Sequence, residues 1–129
     1  MRRLMRWALG ARSQPDVLVG LLLLDVAFNA IAPEHLLEAN DDRIGIQPGL
    51  RPWLLPIKGA AIGGLLVGKR WPKFGALTAA ATTAYFVIAT SYHVRAKDSA
   101  LATAPAVVYC GASVRSLMTF ASNRAAISR

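Results

Sequence analysis

Four apolar stretches, each near the length that crosses a bilayer, leave this chain few ways to fold. They run from Asp16 to Ala32, Pro52 to Gly68, Phe74 to Val94 and Ala100 to Phe120. A spanning helix needs about 20 mostly apolar residues, with about 17 to 25 tolerated. A backbone in lipid must also satisfy its own hydrogen bonds, which a helix does within one segment. The expectation is an all-α integral membrane protein: a four-helix bundle of these spans, forming a single transmembrane domain over residues 1–129. The first two stretches are short and require a thin site, little tilt or extension into their flanks. The third, FGALTAAATTAYFVIATSYHV, is the least apolar. Its threonines are tolerable where they bond back to their own helix or face a neighbour.

The charges set an orientation. A net charge of +8 raises the question of nucleic acid. The basic residues instead punctuate apolar segments in short groups, so no nucleic-acid partner is expected. With both termini on the inner side, that side carries Arg2, Arg3, Arg6, Arg12, Lys69, Arg70, Lys73, Arg124 and Arg129. The outer side carries Arg43, Arg51, Arg95 and Lys97. Nine against four is a positive-inside bias and predicts cytoplasmic termini. An arginine-rich, alanine-rich composition fits a bacterial source, and the expected location is the bacterial cytoplasmic (inner) membrane. The basic start, apolar core and Ala30–Ala32 also resemble a secretory signal. Asp25 and Asn29 interrupt that pattern, so the segment is read as a retained span. The long acidic stretch from Pro33 to Pro52 reads as an outer loop, KRWPK as a basic turn with an interfacial Trp, and RAKDS as a polar turn.

Asp25 is the acid that most needs an explanation. It lies seven residues before the outer end of the first span, about 10 Å below the boundary at 1.5 Å per residue. Lys58 lies six residues into the second span, about 9 Å deep on the same arithmetic. An unpaired charge at mid-membrane costs about 2.5 to 3.5 kcal/mol on insertion scales, so the two are expected to pair. Asn29, one turn above Asp25, is expected to complete the hydrogen bonding. The pair is either structural or a ligand or proton site; a quinone- or lipid-binding site would lie between helices near Asp25, Lys58 and Tyr85.

Other features carry less chemistry. Thr78, Thr82, Tyr85 and Tyr92 recur at helical spacing and read as an inter-helix seam. Gly59-xxx-Gly63 and Gly64-xxx-Gly68 permit close approach, either within the chain or between two copies, so a homo-oligomer stays open. Cys110 is the one cysteine and reads as a small buried hydrophobe. His93 reads as an interfacial residue and His35 lies in the outer loop. No metal site and no catalytic constellation is expected.

The stretch PWLLPIKGAAIGGLLVGKRWPKFGALTAAATTAYFVIATSYHVRAKDSALATAPAVVY resembles the DoxX-like family of small four-helix membrane proteins. The matching features are a Leu-Pro-x-x-Lys opening to the second helix, a GLLVG exit, a Trp-Pro turn and an alanine-rich third helix closing on YHVRAKD. A Pro-Ala pair opens the fourth helix, and DRIGI resembles the family's first loop. The resemblance covers roughly residues 40 to 110, and the first span departs most from it. It implies a bundle in the bacterial membrane, linked in some relatives to quinone-reducing or other membrane oxidoreductase complexes. It also marks Lys58, together with an outer-turn polar group of Tyr92, His93, Arg95 and Asp98.

The leading functional expectation is a non-catalytic accessory or assembly subunit, surrounded by the lipid bilayer and partnered by a membrane oxidoreductase. No bound cofactor is required for that role. The alternatives are a quinone- or lipid-binding redox component, for which quinone is the implied cofactor, and a small transporter or proton pathway using Asp25 and Lys58.

Overall fold

In the computed structural model, residues 1–9 and 14–127 are described, and they form helices without strands. The order is α1 (Arg2–Leu9), α2 (Gln14–Ile31), α3 (Glu34–Ile44), α4 (Arg51–Gly68), α5 (Pro72–Arg95) and α6 (Ala100–Ile127). Four of these, α2, α4, α5 and α6, coincide with the apolar stretches. Helix α2 packs on α4 and α6, and α5 packs on the same two, which closes a ring of contacts. Leu18, Leu22, Leu65, Ala79, Phe86, Ala112 and Phe120 meet inside it as one apolar cluster drawn from all four helices.

The surface carries many large apolar side chains. Leu23, Leu24, Phe28, Ile57, Leu77, Val87, Ile88, Val107, Val108 and Met118 are all exposed. Soluble proteins rarely expose contiguous apolar surface on this scale, whereas lipid contact accounts for it. Among the described residues, α5 and the Ala100–Asn123 part of α6 are each long and apolar enough to cross a membrane. A third span arises if α2 and α3 count as one element, although the two meet at a bend of 116°. Thus two to three spans qualify by length and hydropathy, where four were expected. Helix α2 is apolar enough but short, whereas α4 is diluted by Arg51, Pro52, Pro56 and Lys58.

Two helices were not expected. Helix α1 lies in the basic leader. Helix α3 occupies most of what reads as an outer loop, because EHLLEANDDRI is polar on most sides and gives a weak apolar stripe. Its termini explain it. Pro33 starts it, Glu34 in the first turn complements the helix dipole, and Gly45 ends it in the left-handed region at φ 81°. Gly45 N–H donates to Asp42 O at 3.2 Å and Ile46 N–H to Asp41 O at 2.9 Å, the Schellman pattern that satisfies final carbonyls. The end of α5 is built the same way. Lys97 takes the left-handed conformation at φ 53°, while its N–H donates to Val94 O and Asp98 N–H to His93 O.

At the opposite end, Trp71 is extended and Pro72 opens α5, as the basic turn implied. A Cβ added to Gly68 would overlap the Gly75 backbone, and one added to Gly75 would lie 2.6 Å from the Phe120 ring. Gly64 lies against Thr78 in the same way. These three glycines let α4, α5 and α6 close tightly. Lys69 pairs with Asp16 there, tying the start of α2 to the α4–α5 turn.

Candidate functional site

Asp25 and Lys58 come together where their common depth placed them. Lys58 Nζ stands 2.5 Å from Asp25 Oδ2, with both side chains largely buried. The ammonium is therefore in direct contact with the carboxylate oxygen, and that oxygen is itself buried. Asn29 does not join the carboxylate. Its Nδ2 donates 2.7 Å to the Asp25 main-chain carbonyl, four residues back along the same helix. The expected carboxylate contact is therefore replaced by a local back-bond, which a short amide at this spacing reaches more readily.

The pair lines a cavity of about 800 Å³ at the α3 end of the protein. Helix α3 roofs it, and Tyr85, Tyr109 and His93 also line it. Tyr85 and Phe86 meet edge to face with ring centroids 5.0 Å apart, and Phe86 stacks on Tyr109 at 4.8 Å. Tyr109 donates its hydroxyl to Leu21 O at 2.5 Å and so fixes α6 against α2. Tyr85 makes no hydrogen bond among the described residues, which leaves its hydroxyl available to the cavity.

A second layer of charge anchors the roof. Asp41 and Asp42 fall in the last turn of α3, where the helix dipole disfavours acids. Arg51, in the first turn of α4, offsets this by pairing with both: its Nε lies 3.7 Å from Asp41 Oδ2, and its Nη2 contacts Asp42 Oδ1. Burial nevertheless raises the Asp41 carboxyl from its ordinary value, with Arg51 acting in the opposite direction. Arg51 Nε is buried and, at that distance, has no hydrogen bond.

The outer-turn group resolves into a clamp and two bystanders. Asp98 is nearly buried and holds His93 Nδ1 at 2.7 Å through Oδ2, while its Oδ1 takes Arg43 of α3. Arg43 also donates to Asn40 Oδ1 at 2.7 Å. Tyr92 is half-buried and Arg95 exposed, and neither joins the clamp. No group of three His, Cys, Asp or Glu side chains able to hold a metal ion occurs among the described residues.

Sequence reading missed Arg43, Arg51, Asp41 and Tyr109. The first three had a signal: acids and arginines close together in DDRIGIQPGLR, which α3 then turns onto α5. Tyr109 had none, since a lone tyrosine in an apolar helix has no assigned facing.

The DoxX-like family profile matches residues 16–115. The chain belongs to the DoxX-like family. The match begins in the first apolar stretch, so Asp25 and the whole of α2 after its first turn lie inside it, although the sequence resemblance was drawn only over about residues 40 to 110. The cavity, both halves of the ion pair and the Asp98 clamp all fall within the matched region of this DoxX-like protein. Membership and apolar helices together make it a membrane protein. No curated protein and no solved structure matches the chain.

Proposed function

We propose that this DoxX-like protein is a non-catalytic component of a membrane redox system that binds a quinone or a lipid at its α3 end. The observation supporting this is the cavity of about 800 Å³ that holds the Asp25–Lys58 pair and the free Tyr85 hydroxyl. A volume of several hundred Å³ with a few convergent polar groups is what small-molecule sites have in common. Ionisable residues inside a membrane protein are by default assigned to such sites.

The proposal includes the membrane arrangement. Helices α2, α4, α5 and α6 form a four-helix bundle and one domain over residues 1–129, with both termini cytoplasmic in a bacterial inner membrane. Helices α2 and α4 have 18 residues each, a rise of about 27 Å against a hydrocarbon core of about 30 Å. The positive-inside bias supports the orientation.

An accessory-subunit role is favoured by a separate feature. Gly59 and Gly63 on α4 are exposed and have nothing within 4 Å of an added Cβ, so that face is open to a helix of a partner enzyme or of a second copy.

Native mass spectrometry of the protein gently extracted from its own membrane tests these readings. A discrete small-molecule adduct, lost when Lys58→Met and Asp25→Asn are combined, is the expected result. A chain reproducibly free of adducts would remove the ligand site. A stable protein partner without any small molecule would leave the accessory role alone.

A further inference from the structure

Charge is divided unevenly between the two ends of the bundle. The chain has seven acids, Asp16 and six others. Those six lie toward the α3 end, where Arg43, Arg51, Lys58, Arg95 and Lys97 nearly balance them. At the Trp71 end, Asp16 is the one acid among the described residues, and Lys69 holds it. The same end carries Arg2, Arg3, Arg6, Arg70 and Lys73, all exposed. None of these bases forms an ion pair among the described residues.

These bases belong to two elements that the fold brings to one end. Helix α1 touches α2, and α2 starts at the Asp16–Lys69 pair that ties it to the α4–α5 turn. The turn is set at head-group depth by its place in the chain. Helix α5 is long and apolar enough to cross a membrane and begins at Pro72, so Lys69, Arg70 and Trp71 lie at the hydrocarbon boundary. Trp71 and Phe74 are exposed beside them, as aromatic residues of a membrane interface are.

Helix α1 carries the same two chemistries. At about 100° per residue, Arg2, Arg3 and Arg6 fall within one arc of about 100°, and Leu4 and Met5 lie on the other side. Leu4 is 70% exposed and Met5 58%. A helix of eight residues does not hold itself together in water, so its apolar side needs a cover compatible with three arginines. A nucleic acid or a soluble acidic protein would answer the charge and leave Leu4, Met5, Trp71 and Phe74 uncovered. The surface of an anionic bilayer answers both.

We infer that the Trp71 end is a binding surface for anionic phospholipid, formed jointly by α1 and the α4–α5 turn. Arg2, Arg3 and Arg6 of α1, with Arg70 and Lys73 at the turn, take the head-group phosphates. Leu4, Met5 and Trp71 rest among the first carbons of the acyl chains. A basic cluster at the membrane surface gains from each phosphate it neutralises, whereas a zwitterionic head brings its own cation and competes for the same phosphate. The surface lies at the end opposite the α3 cavity and does not depend on what that cavity binds.

The test uses the full-length protein in a neutral detergent and two lipids of identical chains, dioleoyl phosphatidylglycerol and dioleoyl phosphatidylcholine, titrated in native mass spectrometry. Phosphatidylglycerol is expected to bind at least tenfold more tightly, with a preference that shrinks as salt is raised. Arg2→Gln with Arg3→Gln in α1, and Arg70→Gln with Lys73→Gln at the turn, should each reduce that preference at least threefold. All four together should abolish it and leave the unfolding temperature in detergent unchanged. Arg95→Gln with Lys97→Gln at the far end, and Asp25→Asn with Lys58→Met in the cavity, should leave it intact. Equal binding of the two lipids would overturn the assignment. A preference that survives the fourfold variant, or falls as far in Arg95→Gln with Lys97→Gln, would overturn the location. A silent α1 pair would overturn the joint surface. A short oligonucleotide that binds more tightly than phosphatidylglycerol and displaces it would replace the lipid by a nucleic acid.

Discussion

At the Trp71 end, α4 and α5 approach until Gly68 faces the Gly75 backbone, and Phe120 of α6 fills the space beside them. Leu18 and Leu65 are fully buried near that end, and so is Ser116, whose hydroxyl returns to a carbonyl of α6. At the α3 end the same helices surround open space, lined by charged and aromatic side chains and roofed by a helix held through ion pairs. Small residues without polar demands allow backbones to touch. Charged and aromatic residues keep them apart and need partners. The contrast separates a half that fixes the relative positions of the helices from a half that keeps a site open.

The comparison breaks first at the ion pair. Lys58→Met leaves Asp25 in a largely buried place without its cation, and a loss of about 3 kcal/mol is expected. Adding Asp25→Asn should recover most of it, since directly paired residues show interaction energy in a double-mutant cycle. Thermal unfolding in detergent of the two single variants and the double variant measures this. Additive losses would mean that the two charges are stabilised separately.

A second prediction sharpens the contrast within one helix. Gly68→Ala puts a methyl into the Gly75 backbone, which cannot move aside as a flexible side chain would, and should destabilise by about 2 kcal/mol. Gly63→Ala, five residues earlier on a face open to its surroundings, should gain up to about 1 kcal/mol from helix propensity. The same unfolding assay on both variants decides it. Similar effects at the two positions would mean that α4 does not pack through Gly68.

The smallest effect concerns the roof. Asp98→Ala removes the acceptor shared by His93 and Arg43 and should cost about 1 kcal/mol, since Arg43 is half exposed. Hydrogen exchange should rise along α3 while the α4–α5 contact near Gly68 stays protected. Loosening at both ends would show that the two halves are not independent.

The ion pair was legible because depth is a linear property of sequence. Counting residues from the ends of two antiparallel segments locates Asp25 and Lys58 at one level, whatever the rotation of either helix. The roof was not legible. EHLLEANDDRI looks like a loop, and its helix is secured by a left-handed Gly45 and by Arg51, which lies outside the segment. Nor does sequence separate the two glycine pairs. Gly59-xxx-Gly63 and Gly64-xxx-Gly68 have the same spacing, yet Gly64 and Gly68 meet neighbours while Gly59 and Gly63 meet none.

By itself the sequence determined an apolar all-helical chain, the position of its main helices, the level of its buried charges and its family. These follow from local hydropathy and from the fixed rise of a helix. Only the tertiary structure decided the 116° turn between α2 and α3, the cavity beneath that roof and the helix faces that meet. In lipid, apolar side chains suit the outside as well as the interior, so the pattern of hydrophobicity carries little information about rotation. Rotation is set by close contacts such as Gly68 on Gly75, and these exist only once the helices have come together.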